Sequence, residues 1–206
     1  MRLLLILMLA AALMPAAEKE LFNGRDLTGW KMTGPGAFVI EDGLMKTQGG
    51  MGLLYYEKEK LANSVLKVVF KTAGPRGNSG VVIRLPEPPP DPWYGVHHGY
   101  EVQIESGGDE WHCTGSIYSI SKVTSREQKP VGEWNTMEIE LRGPLTVIRV
   151  NGVKVNEYRD GQPVPERKMW YEPVRGPRPD AGYFGLQNHD AASIVYFKQI
   201  SVRPLD

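Results

Sequence analysis

The chain has 206 residues, and its 24 lysines and arginines balance its 24 aspartates and glutamates. A formal net charge of zero gives no attraction for nucleic acid or for an anionic membrane surface, so the composition excludes partners of these two kinds. The single cysteine, Cys113, excludes an intramolecular disulfide, so packing must supply the stability.

Residues 1–17 have the pattern of a secretion signal. A positive start at Arg2 is followed by the apolar run 3–13 and by a small-residue exit at Ala17. This run is shorter than the roughly 20 apolar residues that span a bilayer, which argues against a membrane anchor. We therefore expect a secreted or periplasmic protein with no membrane partner once the signal is removed. The remaining residues, 18–206, have the length of one domain with a sizeable core.

Short runs of alternating apolar and polar residues follow the signal, separated by glycine, proline and asparagine turns. This pattern predicts an all-β sandwich or barrel without an amphipathic helix. Asp42-Gly43 and Asn151-Gly152 are typical of tight hairpin turns, in which both central residues adopt positive φ. The predicted strands are 37–40, 44–47, 64–73, 80–85, 99–105, 116–120, 134–141, 145–150, 153–155, 183–188 and 193–203.

Two proline-rich loops interrupt the strands, at residues 86–92 and 160–181. Loops of this kind are either functional lids and binding loops or solvated connections stiffened by proline. Trp93 follows the first loop and Trp170 lies within the second. Because aromatic rings in loops can stack on the faces of sugars, these two residues favour substrate contact.

The segment 99–105, Gly-Tyr-Glu-Val-Gln-Ile-Glu, carries the clearest functional signal. In a strand, residues two apart share a face, so Val102 and Ile104 are predicted to face the core. Glu101, Gln103 and Glu105 then project together from the other side. Two carboxylates and an amide on one face indicate a cleft that handles a sugar.

Eight sequence blocks in order resemble the 3-keto-disaccharide hydrolase domain family. The resemblance spans nearly all of the chain after the signal, and the blocks together are more specific than any one of them. They are 21–30 (LFNGRDLTGW), 77–84 (GNSGVVIR), 99–104 (GYEVQI), 114–118 (TGSIY), 132–135 (GEWN), 150–152 (VNG), 185–189 (GLQNH) and 197–200 (FKQI). The resemblance implies a concanavalin A-like jelly roll of two antiparallel sheets, one of them concave. It also implies a secreted protein that cleaves glycosides whose sugar carries a ketone at carbon 3.

The strand spacing disfavours ordinary glycoside hydrolysis by two carboxylates. On a straight strand the Cα atoms of Glu101 and Glu105 lie about 13 Å apart, whereas two-carboxylate glycosidases need roughly 5–10 Å between carboxyl groups. A ketone at carbon 3 instead acidifies the proton on carbon 2, so one base and one group at the ketone oxygen suffice for elimination, and water then adds to the enone. We expect Glu101 to be the base and Arg84 the electrophile. His189 is expected to be a second acid or base, or a metal ligand.

The other expected site residues bind the sugar through its hydroxyl groups or its ring faces. The hydroxyl-binding residues are Gln103, Glu105 and Gln187, and the aromatic wall comprises Trp93, Trp170 and Tyr118. The sequence requires no cofactor. It has no zinc-ligand spacing, and calcium held by loop oxygens stays open without an acidic loop motif to support it.

Structural interpretations compete with each assignment. Arg84 and Glu101 on adjacent strands are also consistent with a buried salt bridge. Gln187 and His189 are also consistent with hydrogen-bonded core residues. For the whole protein, a non-catalytic carbohydrate-binding or adhesion module on the same fold is the alternative to an enzyme.

Overall fold

The computed structural model describes residues 17–205. Within this range thirteen strands form two antiparallel sheets, and one short helix lies outside the sheets. The predicted all-β sandwich is therefore confirmed. The secretion signal predicted at residues 1–17 falls almost entirely outside the described residues. Between residues 17 and 205, no helix is long and apolar enough to cross a membrane.

The elements follow one another with short turns, apart from two long connections at 106–134 and 160–182. In chain order they are β1 Lys19–Glu20, β2 Trp30–Thr33, β3 Ala37–Glu41, β4 Leu44–Gln48, β5 Gly52–Tyr56, β6 Ser64–Thr72, β7 Asn78–Leu85, α1 Pro92–His98, β8 Tyr100–Glu105, β9 Asn135–Arg142, β10 Leu145–Val150, β11 Val153–Arg159, β12 Tyr183–Asn188 and β13 Val195–Pro204.

The larger sheet has the strand order β11-β10-β9-β6-β13-β4-β3, with β1 paired to β13. The smaller sheet has the order β2-β5-β12-β7-β8. Both sheets contribute to one continuous apolar core, which includes Val102 and Ile104 from the smaller sheet and Phe70 and Met137 from the larger one. The opposite face of the smaller sheet is thereby left to form a site.

Both predicted hairpin turns are confirmed. Asp42 and Gly43 have φ of 52° and 77°, and Asn151 and Gly152 have φ of 51° and 85°. A primed turn of this kind matches the right-handed twist of the strands that it joins.

The predicted elements were wrong or incomplete at five places. Strands β1 and β2 are absent from the predicted strands. β5 was missed because all five of its residues are buried, so it has no polar alternation. Helix α1 was missed among the prolines, although Asp91 caps it by accepting a hydrogen bond from the Tyr94 amide and Pro92 opens its first turn. Segment 116–120 forms turns rather than a strand, and Ser119 within it has φ of 55°.

Helix α1 lies on the outer face of the smaller sheet, where Leu53, Val82 and Leu85 form a second apolar cluster beneath it. Gly95 allows this close approach, because a Cβ there would lie 2.5 Å from Leu53 Cδ2. The helix therefore closes one end of the concave face and leaves the other end, over β7, β8 and β12, open to a ligand.

Candidate active site

A cleft of about 660 Å³ opens over the concave face of the smaller sheet. This volume falls within the range typical of small-molecule sites. Strands β7, β8 and β12, helix α1 and both long connections contribute to its walls. Its lining is Met51, Asn78, Trp93, Val96, Glu101, Gln103, Glu105, His112, Tyr118, Tyr171, Glu172, Gln187 and His189.

The structure brings most of the sequence-predicted site residues together in this cleft. They are Glu101, Gln103, Glu105, Gln187, His189, Trp93 and Tyr118. The alternation predicted for β8 is confirmed, because Val102 and Ile104 lie in the core while the three polar residues face the cleft. Trp170 is outside the lining, but its ring packs 4.7 Å from that of Trp93, and Tyr171 beside it does line the cleft.

Glu101 lies at the floor of the cleft, and its side chain is buried. Gln187 Nε2 donates a hydrogen bond of 2.9 Å to Glu101 Oε2. Burial raises the pKa of Glu101 to about 8, the Glu105 carboxylate adds to the rise, and the Gln187 hydrogen bond opposes it. The carboxyl fits only because residue 80 on the next strand is glycine, since a Cβ there would lie 2.6 Å from Glu101 Oε1.

An amide network lies beside Glu101 on the same floor. Gln103 Nε2 donates to Asn78 Oδ1 at 3.1 Å and to Glu105 Oε2 at 3.2 Å. The buried Oε1 atoms of Gln103 and Gln187 have no hydrogen-bond partner in the described structure. A buried acceptor without a partner costs free energy, so both oxygens are suited to accept hydrogen bonds from a ligand's hydroxyl groups.

Tyr118 stands next to Glu101 because its backbone amide donates to the Glu101 carbonyl at 2.9 Å. Burial raises the pKa of the Tyr118 hydroxyl to about 12, and the Glu101 carboxylate contributes to the rise. The hydroxyl therefore stays protonated and remains a hydrogen-bond donor at neutral pH. The sequence identified Tyr118 only through its family block, since the turn that positions it was predicted as a strand.

Two histidines line the cleft, each paired with a nearby aspartate. His189 Nδ1 lies 2.8 Å from Asp190 Oδ2, and His112 Nδ1 lies 2.6 Å from Asp109 Oδ1. His189 follows Asn188, the last residue of β12, which agrees with the predicted strand 183–188. Sequence reasoning missed His112, although the Asp-x-x-His spacing is a weak signal for such a pair.

Arg84 does not reach the cleft, so its expected role at the ketone oxygen is not supported by its position. Its guanidinium donates to the carbonyls of Gly143, Leu145 and Pro179 at 2.6, 3.1 and 3.2 Å. Arg84 has φ of 58°, and the pairing of β7 with β12 shifts register nearby. These two features turn the side chain away from the face that strand alternation assigns to it.

The buried salt bridge between Arg84 and Glu101, the structural alternative for these two residues, is also absent. The carboxylate nearest the Arg84 guanidinium is that of Asp180, at 3.7 Å, whereas Glu101 is bonded to Gln187. Arg84, on β7 of the smaller sheet, instead bonds to two other parts of the chain. These are the β9–β10 turn of the larger sheet and the 160–182 connection.

Across residues 17–205, no three histidine, cysteine, aspartate or glutamate side chains are grouped closely enough to hold a metal ion. Each of the two histidine–aspartate pairs joins an imidazole nitrogen to a carboxylate oxygen. Imidazole oriented by a carboxylate is a common arrangement for general acids and bases.

Comparison with known proteins places these observations in a family. The model of the 3-keto-alpha-glucoside-1,2-lyase-like domain matches residues 17–203, which confirms the resemblance of the sequence blocks. None of the curated proteins compared with the chain matches it.

Solved structures with the same fold come from carbohydrate-related and other proteins. A provisional glycosyl hydrolase from Parabacteroides distasonis ATCC 8503 has a TM-score of 0.76 at 24% identity, with 92% of this chain and 100% of that chain covered. A Bacillus subtilis protein with a galectin-like fold has a TM-score of 0.62 at 11% identity, covering 91% and 94%. The carbohydrate-binding module CBM66 from Bacillus subtilis has a TM-score of 0.56 at 14% identity, covering 85% and 95%. These likenesses confirm the jelly-roll fold.

Arg84→Met is expected to destabilise the protein by about 3 kcal/mol, because it leaves buried carbonyl oxygens without donors. Urea unfolding measures this loss. Arg142→Met is the matched control, since its half-exposed guanidinium pairs only with Glu140 and should contribute no more than about 1 kcal/mol. Equal losses in the two variants would contradict the structural role of Arg84.

Glu101→Gln is expected to change how stability depends on pH. The folded protein holds the Glu101 proton until about pH 8, whereas a carboxyl with the ordinary pKa of 4.5 releases it earlier. The contribution of the protonated Glu101 carboxyl to the free energy of unfolding is therefore complete below pH 4.5 and is lost as the pH rises to about 8. Urea unfolding across this range should show wild type losing stability relative to E101Q, by at most about 1.4 kcal/mol per pH unit.

Glu157→Gln controls for the loss of one carboxylate, because Glu157 is exposed on the other sheet and pairs only with Lys154. Its stability should follow wild type across the same range. Parallel curves for wild type and E101Q would show that burial does not perturb Glu101.

Proposed function

Because the chain belongs to the 3-keto-alpha-glucoside-1,2-lyase-like domain family, we propose that it is a secreted or periplasmic enzyme that cleaves 3-keto-glycosides. The cleavage proceeds by elimination of the group on carbon 1, and water then adds to the enone. The net reaction is hydrolysis of the glycosidic bond. The observation that carries the proposal is the buried Glu101 carboxyl at the floor of a cleft lined by amides and aromatic rings.

Glu101 is the base that removes the proton from carbon 2. A base is most effective when its pKa lies near the working pH, and burial has raised that of Glu101 to about 8. The ketone makes this proton acidic enough for a carboxylate, so no nucleophile is required.

Tyr118 replaces Arg84 as the group that stabilises negative charge at the ketone oxygen. Its hydroxyl remains protonated, it lines the cleft, and its backbone is bonded to that of Glu101. A fixed hydrogen-bond donor beside a developing enolate lowers the barrier without any charge of its own. His189, oriented by Asp190, is a second donor or acceptor in the same cleft.

Recognition of the sugar uses the unpartnered amide oxygens and the aromatic wall. Gln103 Oε1 and Gln187 Oε1 accept hydrogen bonds from hydroxyl groups. The partly exposed rings of Trp93 and Tyr171 present flat surfaces for the C–H face of a pyranose. A non-catalytic binding module would use the same wall, but it has no need of a buried carboxyl with a raised pKa.

The test is turnover of a 3-keto disaccharide beside the same disaccharide without the ketone. Wild type is expected to cleave only the oxidised sugar and to exchange the carbon-2 hydrogen for deuterium in D₂O. Its kcat/KM should rise with pH until about 8, following the fraction of ionised Glu101. E101Q should lose at least about 100-fold in kcat, since general-base catalysis contributes that much or more.

Glu157→Gln again serves as the control and should keep the wild-type rate. Binding of the keto sugar without turnover would favour the non-catalytic module. Cleavage of both sugars at similar rates would favour an ordinary glycosidase, and full activity in E101Q would remove Glu101 from the mechanism.

A further inference from the structure

A second cavity, of about 290 Å³, lies against the main cleft. Its walls come from the two long connections rather than from the sheet. His112 and Glu172 are the two side chains that line both spaces. The two spaces therefore adjoin at these two residues.

His112 is held at this junction from both ring nitrogens. Nδ1 lies 2.6 Å from Asp109 Oδ1, and Nε2 lies 3.2 Å from Ser119 Oγ. Asp109 is itself fixed, because the same oxygen accepts the Trp111 amide at 2.9 Å. The carboxylate therefore orients the imidazole through Nδ1. A ligand oxygen that exchanges a proton with Nε2 takes the place of Ser119 Oγ.

His112 is also close to the chemistry proposed for Glu101. Its ring packs edge-on against Tyr118 with centroids 5.3 Å apart, and the Tyr118 amide is bonded to the Glu101 carbonyl. One aromatic ring thus separates the imidazole from the strand that carries the base.

Glu172, the other junction residue, is already engaged as an acceptor. Its carboxylate pairs with Arg175 Nη2 at 2.9 Å and accepts the Lys168 amide at 3.0 Å. His189 lines only the main cleft, where its partner is Asp190. His112 is thus the junction residue whose proton can be transferred.

We propose that the second cavity holds the leaving group and that His112 is the general acid that protonates the leaving oxygen. The inference deepens the proposed function and rests on it. Asp109 is a positioning residue, since it acts through the imidazole and not on the substrate.

The proton and electron balance closes over the two half-reactions. Glu101 takes the proton from carbon 2 as the C1–O bond breaks, and His112 Nε2–H gives its proton to the leaving oxygen. The products of this half are an enone and an alcohol. Water then adds to carbon 1 and gives a proton to His112, while Glu101 returns its proton to carbon 2.

The lining of the second cavity indicates the class of leaving group. Lys168 and Glu166 offer charged and hydrogen-bonding groups, and Trp111 offers a flat apolar surface. This combination suits a second sugar ring, which has hydroxyl groups around its edge and C–H groups on its face. The substrate is therefore a 3-keto disaccharide rather than a glycoside of a purely apolar alcohol.

The test compares two 3-keto-glucosides that differ only in leaving group. A sugar alkoxide needs protonation as it leaves, whereas 4-nitrophenolate does not. His112→Asn should lose about 100-fold or more in kcat on the disaccharide but only about threefold on the 4-nitrophenyl compound, since only the first depends on a general acid. E101Q should lose both activities, because both substrates require proton removal from carbon 2.

His189→Asn is the matched control, and it should lower the two rates by the same factor. Asp109→Asn should lower kcat on the disaccharide by a larger factor than kcat on the 4-nitrophenyl compound, with KM little changed, because the imidazole loses the carboxylate that orients it. Circular dichroism and urea unfolding confirm that each variant is folded.

The outcomes separate this proposal from the one on which it rests. Equal losses of H112N on both substrates, or full disaccharide activity in H112N, would overturn the acid assignment while leaving 3-keto cleavage in place. Wild type that cleaves neither substrate would overturn the proposed function, and the leaving-group assignment would fall with it.

Discussion

The burial of the Glu101 carboxyl is the constraint around which the site is built. A carboxyl out of contact with water requires a hydrogen-bond donor and space, and two other strands of the smaller sheet supply them. Gln187 on β12 gives the donor, and Gly80 on β7 gives the space. On the other side, residues 114–118 pair with β8 through backbone hydrogen bonds and cover its edge. Four separate segments of the chain must therefore meet for this one side chain to be accommodated.

The sequence predicted those parts of the fold in which one face of a strand is polar. The alternation of β8 identified three cleft residues, and the Asp-Gly and Asn-Gly pairs located both hairpins. Strand β5 carried no such signal because both of its faces are covered, by the core on one side and by helix α1 on the other. The jelly-roll assignment itself came from the order of the family blocks, since strand patterns alone left sandwich and barrel open.

Arg84 shows why a residue's strand position does not fix where its side chain goes. An arginine among valines and isoleucines predicts a functional cation when the strand is regular. Here φ of 58° and a register shift redirect it to the end of the sandwich, where it bonds to three carbonyls. The local sequence predicts neither the strained φ nor the acceptors. The acceptors lie about 60 to 95 residues away in the chain.

The two histidines of the cleft are positioned differently from Glu101, the proposed base. His112 with Asp109, and His189 with Asp190, are each paired within three residues on a connection rather than on a strand. Glu101, whose pKa depends on exclusion of water, lies on the sheet, where paired strands hold it buried with their backbone groups hydrogen-bonded. A histidine needs orientation rather than burial, and a neighbouring carboxylate can orient it within a loop. Glu101 could be predicted from the sequence because it lies on a strand with alternating polar and apolar residues. His112 also lines the cleft, but it lies on a loop without such a pattern, so only the folded structure places it there.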